Sequence, residues 1–194
     1  MYRLRMRAGG RGSFVPVMRD LPWRGIGAVE IRRDRYNGQD FSLKGGNDRF
    51  VLPAEFRKAV RDAGEGERVL CLQMDPNLPC LLGFGLSRQA ELDEQLAEEQ
   101  AQANREGRTF NRQLRSSQLF GFTKVPFDES GRFVLPPRFQ KHAKVGDGLY
   151  FHGAGAEILI FNPEELMKLG DEWNHMKMAC EDHMDLVMTA KRRK

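Results

Sequence analysis

The chain has 194 residues, enough for one ordinary domain or two small ones that share a core. No apolar run reaches the ~18 residues that a membrane-spanning helix needs, and three cysteines (Cys71, Cys80, Cys180) are too few for a disulfide framework and point to reduced thiols. The net charge of +4 is uneven: residues 1–35 hold nine arginines against three acids, a balance of +6 that leaves −2 for the other 159.

The first 35 residues read as a basic, flexible arm. They open on Met1-Tyr-Arg-Leu-Arg-Met-Arg7 with no apolar stretch of signal-peptide length behind it, so secretion is not expected. Arg33 and Arg35 close the arm. Such a segment suits a polyanion, because arginine displaces the counterions condensed on phosphate; a merely solvated extension has the same composition.

Residues 36–86 carry a strand-like run, Arg49-Phe-Val-Leu52, followed by Pro53, whose fixed φ suits the first position of a helix. Phe56, Ala59, Val60 and Ala63 then recur at helical spacing, and Gly64 and Gly66 stop the helix. Val69 to Leu72 and Cys80 to Phe84 read as strands joined through a turn at 75–79. Residues 87–120 form a helical linker: Ser87 is a candidate N-cap, Leu92 and Leu96 give a thin apolar stripe, and a second short helix covers 110–119. Residues 121–166 hold a further set of short strands around Pro136. A methionine-rich helix with a basic end, Lys191-Arg192-Arg193-Lys194, fills 167–194.

The strongest signal is internal self-similarity. Arg49-Phe-Val-Leu-Pro-Ala-Glu-Phe-Arg-Lys58 recurs as Arg132-Phe-Val-Leu-Pro-Pro-Arg-Phe-Gln-Lys141, with seven of ten positions identical at an offset of 83. Each copy is followed by two apolar runs. One unit alone is too small to bury much apolar surface, so the pair is expected to pack as a covalent pseudo-dimer with one closed core.

These residues resemble the MraZ family of bacterial transcription regulators, built on SpoVT/AbrB-like domains. The resemblance rests on Tyr36-Asn-Gly38, the loop from Gly45 to Arg49, Pro53 and Phe56-Arg57 in the first copy. In the second it rests on Asp128-Glu-Ser-Gly-Arg132, Pro136 and Phe139. It spans about two-thirds of the chain.

The resemblance implies an α+β fold: two tandem SpoVT/AbrB-like βαββ repeats forming a pseudo-dimeric double-psi or swapped-hairpin β-barrel with flanking helices. It implies a cytoplasmic, nucleoid-associated regulator, a repressor rather than an activator, of the division and cell-wall gene cluster. Such a protein binds double-stranded DNA at repeated promoter boxes as a ring-shaped homo-oligomer. No enzyme activity, cofactor, metal, membrane or small-molecule substrate is implied. Arg49 is the implied DNA-facing residue; Arg132, Lys44, Arg33, Arg35 and Arg57 are further candidates for contact, and Asp128, Pro53 and Pro136 belong to the structural motif.

The first loop departs from the family pattern. Gly45 stands where an Asp is expected, Asn47 where a Lys is, and Asp48 where a Gly is. An Asp four residues before an Arg fixes its fork, so Arg49 is expected to lose pre-organisation. This departure supports the rival reading, an interaction scaffold with weak or nonspecific DNA binding. For Arg49 itself, the alternative is a structural pairing with a carboxylate across the pseudo-dimer. His175, Cys180 and His183 lack the spacing of a zinc signature, and His142, aligned with Ala59, reads as a packing residue.

Overall fold

The computed structural model describes residues 35–193. Each repeat folds as its pattern dictates. The first gives β1 (Gln39–Leu43), β2 (Arg49–Val51), α1 (Ala54–Asp62), β3 (Val69–Met74) and β4 (Cys80–Phe84). After the linker helices α2 (Leu92–Arg105) and α3 (Arg112–Leu119), the second gives β5 (Thr123–Pro126), β6 (Arg132–Val134), α4 (Pro137–His142), β7 (Gly148–Gly153) and β8 (Ile158–Phe161). Two further helices follow, α5 (Pro163–Met167) and α6 (Asn174–Arg192).

The fold is mixed α/β. Its strands pair antiparallel in a six-stranded sheet of order β1-β7-β8-β4-β3-β5 and a separate β2–β6 ribbon, with six α-helices among the described residues. Exchanging the two repeats leaves this order unchanged. β1 pairs with β7 as β5 pairs with β3, while β4–β8 and β2–β6 map onto themselves. The first strand of each copy therefore finds its partner in the other copy.

Among the described residues the closed β-barrel expected from the sequence is not formed, because β1 and β5 end the sheet and no described strand joins them. The chain turns sharply before β2 and β6, through left-handed residues at Asn47 and Asp48 and at Gly131. That turn takes both short strands out of the sheet and pairs them with each other.

The main core lies between the repeats. It holds Phe50, Leu52, Phe56 and Val60 of the first copy and Phe133, Leu135, Phe139 and Phe151 of the second, all at most 2% exposed. Burying each such side chain stabilises by about 1.5–3 kcal/mol. The apolar face of α1 is the one its spacing indicates. Pro53, however, is the N-cap and not the first helical residue: its carbonyl accepts from the Arg57 N–H at 2.8 Å. Pro136 caps α4 in the same way.

In the linker, Ser87 is not the N-cap of the long helix. Leu86–Glu91 forms a 3-10 turn, and the Ser87 N–H donates to the Ala63 carbonyl at 2.9 Å, tying this segment to the end of α1. The long helix starts only at Leu92, where Leu92 and Leu96 become buried against Leu119. Arg115 of α3 grips Glu99 of α2 with two hydrogen bonds, at 2.6 and 2.7 Å.

A second cluster, including Phe41, Tyr150, Phe161 and Leu166, receives Met176 and Cys180 of α6. Met178 and Met188, on other faces of that helix, are exposed. All three cysteines are free and buried. Burial pushes the Cys71 thiol up to about 11 and the Cys180 thiol up to about 12, so neither is a nucleophile near neutral pH.

Candidate functional site

The β2–β6 ribbon is built from the identical tripeptide Arg-Phe-Val in both strands. Its register places Phe50 opposite Phe133, Arg49 opposite Val134 and Val51 opposite Arg132. Alternation then sorts the residues by face. Phe50 and Phe133 point into the core with ring centroids 6.2 Å apart. Arg49 and Arg132 point outward, and so do Val51 and Val134, 40% and 51% exposed. The exposed face therefore carries two arginines on one diagonal and two valines on the other.

Each arginine follows a loop closed by the same backbone hydrogen bond. The Gly45 N–H donates to the Arg49 carbonyl at 2.8 Å, and the Asp128 N–H to the Arg132 carbonyl at 3.0 Å. The loops differ in their side chains. Asp128 Oδ1 accepts from the Arg132 N–H at 2.9 Å, and its other oxygen lies 3.8 Å from the Arg132 guanidinium. Gly45 has nothing equivalent to offer Arg49.

Across the ribbon, the only acid that lines a hollow with Arg49 among the described residues is Asp128, which is bound to its own Arg132. The Asp128 carboxyl is held below the usual carboxylate range, first by the Arg132 backbone N–H, then by the Ser130 N–H and the charges of Arg132 and Arg49. Arg49, Asp128 and Arg132 line one shallow hollow, in which Asp128 pairs directly with Arg132 and feels the charge of Arg49 from farther away. Arg49 itself is exposed and forms no carboxylate pair among the described residues.

The other candidates divide. Lys44 lies beside the first loop, with its ammonium 2.8 Å from Asp48. Asp48 has φ +55°, a left-handed conformation that its counterpart Gly131 (φ +82°) adopts without cost. Arg57 reaches the second loop: a Cβ placed on Gly131 would sit 3.0 Å from its Nη1 and 2.7 Å from the Leu52 carbonyl oxygen. That carbonyl belongs to the residue whose N–H donates to Gly131 O at 2.8 Å, so α1 of one repeat is locked to the loop of the other. Arg35 is elsewhere, in a cleft with Arg88, Glu91, Glu94 and Glu98, and the ribbon does not recruit it. Arg33 and the rest of the basic arm lie outside the described residues.

Sequence reasoning did not find the exposed valines or the hollow that Arg49, Asp128 and Arg132 line together. The offset of 83 carried that signal: identical tripeptides that pair with themselves must present their odd positions on one face. Among the described residues no group of three His, Cys, Asp or Glu converges as a metal site requires. His175 packs edge-on against His152, His183 lies 3.7 Å from Asp40, and Cys180 Sγ contacts Met184 Sδ. No described helix is long and apolar enough to cross a membrane.

No family model matches the chain. It is similar to the transcriptional regulator MraZ of Rhodospirillum rubrum, 31% identical over 121 residues that cover 61% of this chain and 73% of that protein. It is also similar to the transcriptional regulator MraZ of Coxiella burnetii, 22% identical over 125 residues that cover 64% of this chain and 78% of the relative.

Proposed function

This chain belongs to the MraZ family of transcriptional regulators, and we propose that it binds double-stranded DNA through the outer face of the β2–β6 ribbon. The observation that carries this reading is the pair Arg49 and Arg132, exposed on one face of a self-paired two-stranded ribbon and lining one hollow with Asp128. The major groove of B-DNA admits a two-stranded ribbon, and a guanidinium fork reads the O6 and N7 of guanine. Arg57, beside the second loop, is placed to add a phosphate contact, which positions without specifying.

The targets are repeated promoter boxes ahead of the division and cell-wall genes, occupied by a ring of several copies. Weak single-ribbon contacts then add through effective concentration. A bound ring obstructs polymerase, so the effect is repression, and the protein works in the cytoplasm at the nucleoid. The exchange symmetry of the strand pairing supports a tandem swapped-hairpin ancestry, with repeats at 36–86 and 121–166 around a helical linker.

Footprinting of full-length protein on the DNA upstream of its own gene tests this. Protection of regularly spaced boxes is expected, with affinity falling by orders of magnitude between about 50 and 200 mM salt. Equal protection of scrambled DNA refutes specific reading. Exposed Val51 and Val134, with Lys44 paired to Asp48, favour a second reading, an interaction scaffold; absence of DNA binding even at about 50 mM salt would refute the DNA reading and favour this one.

Asp48→Gly separates the two readings further. It restores a residue suited to φ +55°, frees Lys44 and removes an anion beside the ribbon. The expected result is tighter DNA binding and a salt slope steeper by about one phosphate contact, with stability changed by less than ~1 kcal/mol. Gel-shift titrations at several salt concentrations measure it.

A further inference from the structure

We propose that the cleft between α3, the end of β3 and α4 is a binding site for a small zwitterion of the α-amino-acid type. The cleft has a volume of about 330 Å³ and draws its lining from both repeats and the linker. That is the lower end of the size range of small-ligand pockets.

Its walls carry opposite charges on different elements. α4 contributes Arg138 and His142, and the turn after β3 contributes Asp75. Met74, Pro76 and Phe139 supply apolar surface between them. The polar groups have capacity to spare. His142 Nε2 is buried and has no hydrogen-bond partner among the described residues. A buried ring nitrogen left unpaired is costly; because His142 lines the cleft, a small rotation of its ring would present this nitrogen to an occupant. Repeat packing does not demand this histidine, since the equivalent position in the first copy is Ala59.

Asp75 spends Oδ1 on the N–H groups of Asn77 and Leu78, at 2.7 and 2.9 Å. It has no ion-pair partner among the described residues. Arg138 lies over the Phe139 ring, 4.8 Å from its centroid, and donates through Nη2 to Thr123 Oγ1, which leaves its other N–H donors available. A carboxylate is matched by Arg138 and His142, an ammonium by Asp75, and a short apolar side chain by Met74, Pro76 and Phe139. An anion alone meets Asp75 and a cation alone meets Arg138, so the zwitterion is the species both walls accept.

This site is independent of the DNA reading, and its test uses no DNA. Full-length ¹⁵N-labelled protein is titrated with each of the twenty free α-amino acids to roughly 10 mM, with acetate and methylamine as the two half-molecules. At least one amino acid is expected to shift the amides of Met74, Ser117 and His142 with a Kd of about 1 mM or tighter, while neither half-molecule does. His142→Ala and Asp75→Asn should each weaken that binding at least tenfold. Arg138→Gln, at an exposed side chain, should do the same and provides a variant whose folding is not at risk. The proposal is overturned if no amino acid moves those resonances, if a half-molecule binds equally well, or if the shifts persist unchanged in Arg138→Gln.

Discussion

Replacing Arg49 and Arg132 together by alanine is expected to abolish preference for the promoter boxes. Each single change should weaken specific binding by about 10–100-fold, the 1–3 kcal/mol of one bidentate base contact. Both side chains are exposed on the ribbon, so folding should change by no more than ~0.5 kcal/mol, and a thermal melt separates the two effects. The double variant should be worse than additive, because it leaves Asp128 facing phosphate with neither of the cations that now lower its pKa. Arg49→Lys keeps the charge and loses the fork. It is expected to preserve the salt slope while relaxing sequence preference. Fluorescence anisotropy with boxed and scrambled duplexes reads both quantities, and unaltered box preference in the double variant would remove the ribbon from the mechanism.

The largest stability loss is expected at the other face of the same ribbon. Phe50 is fully buried and meets Phe133 across the interface of the repeats, with both rings inside the main core. Phe50→Ala removes that burial and leaves a cavity that neither repeat can close alone, so a cost of about 3–5 kcal/mol is expected. Against a total of roughly 5–15 kcal/mol this is a large fraction. Urea unfolding measures it, and a loss under ~1 kcal/mol would contradict the packing described, since an exposed or adaptable site gives such values. In a double-mutant cycle with Phe133→Ala, the ring pair should show a coupling of about 0.5–1.5 kcal/mol. Box recognition should fall along with stability, since the inward phenylalanines hold the outward arginines in register.

Much of this molecule was legible before its structure. The spacing of Phe56, Ala59, Val60 and Ala63 marks the buried face of α1, and the glycines at 64 and 66 mark its end. The short helix expected over 110–119 is present, but it starts at Arg112, because Asn111 caps it by accepting from the Leu114 N–H at 3.0 Å. Local errors came where tertiary bonds override local preference. Ser87 has the composition of an N-cap, but its N–H is held by Ala63, and the regular helix waits until Leu92 has a core to enter. Pro53 has the φ of a first helical residue but sits one position earlier, where its carbonyl opens the hydrogen-bond ladder.

The departures in the first loop were visible as letters, yet their consequence was not. Gly45 deprives Arg49 of a local acid, and only the pairing of β2 with β6 brings Asp128 of the other repeat into the same hollow. Closure of the barrel was likewise a matter for the whole chain. The left-handed turns at Asp48 and Gly131 decide that β2 and β6 leave the sheet, and no pattern of hydrophobic alternation encodes that.

By itself, then, the chain's order of residues determined the duplication, the buried face of α1, the β3 and β4 strands and the residue types available to an anionic partner, because these depend on periodicity and local backbone preference. Only the tertiary structure decided which arginines share a face, which acid lies beside them and which histidine is left without a partner. Those outcomes depend on contacts between residues some 80 positions apart, whose geometry is settled by packing across the two repeats.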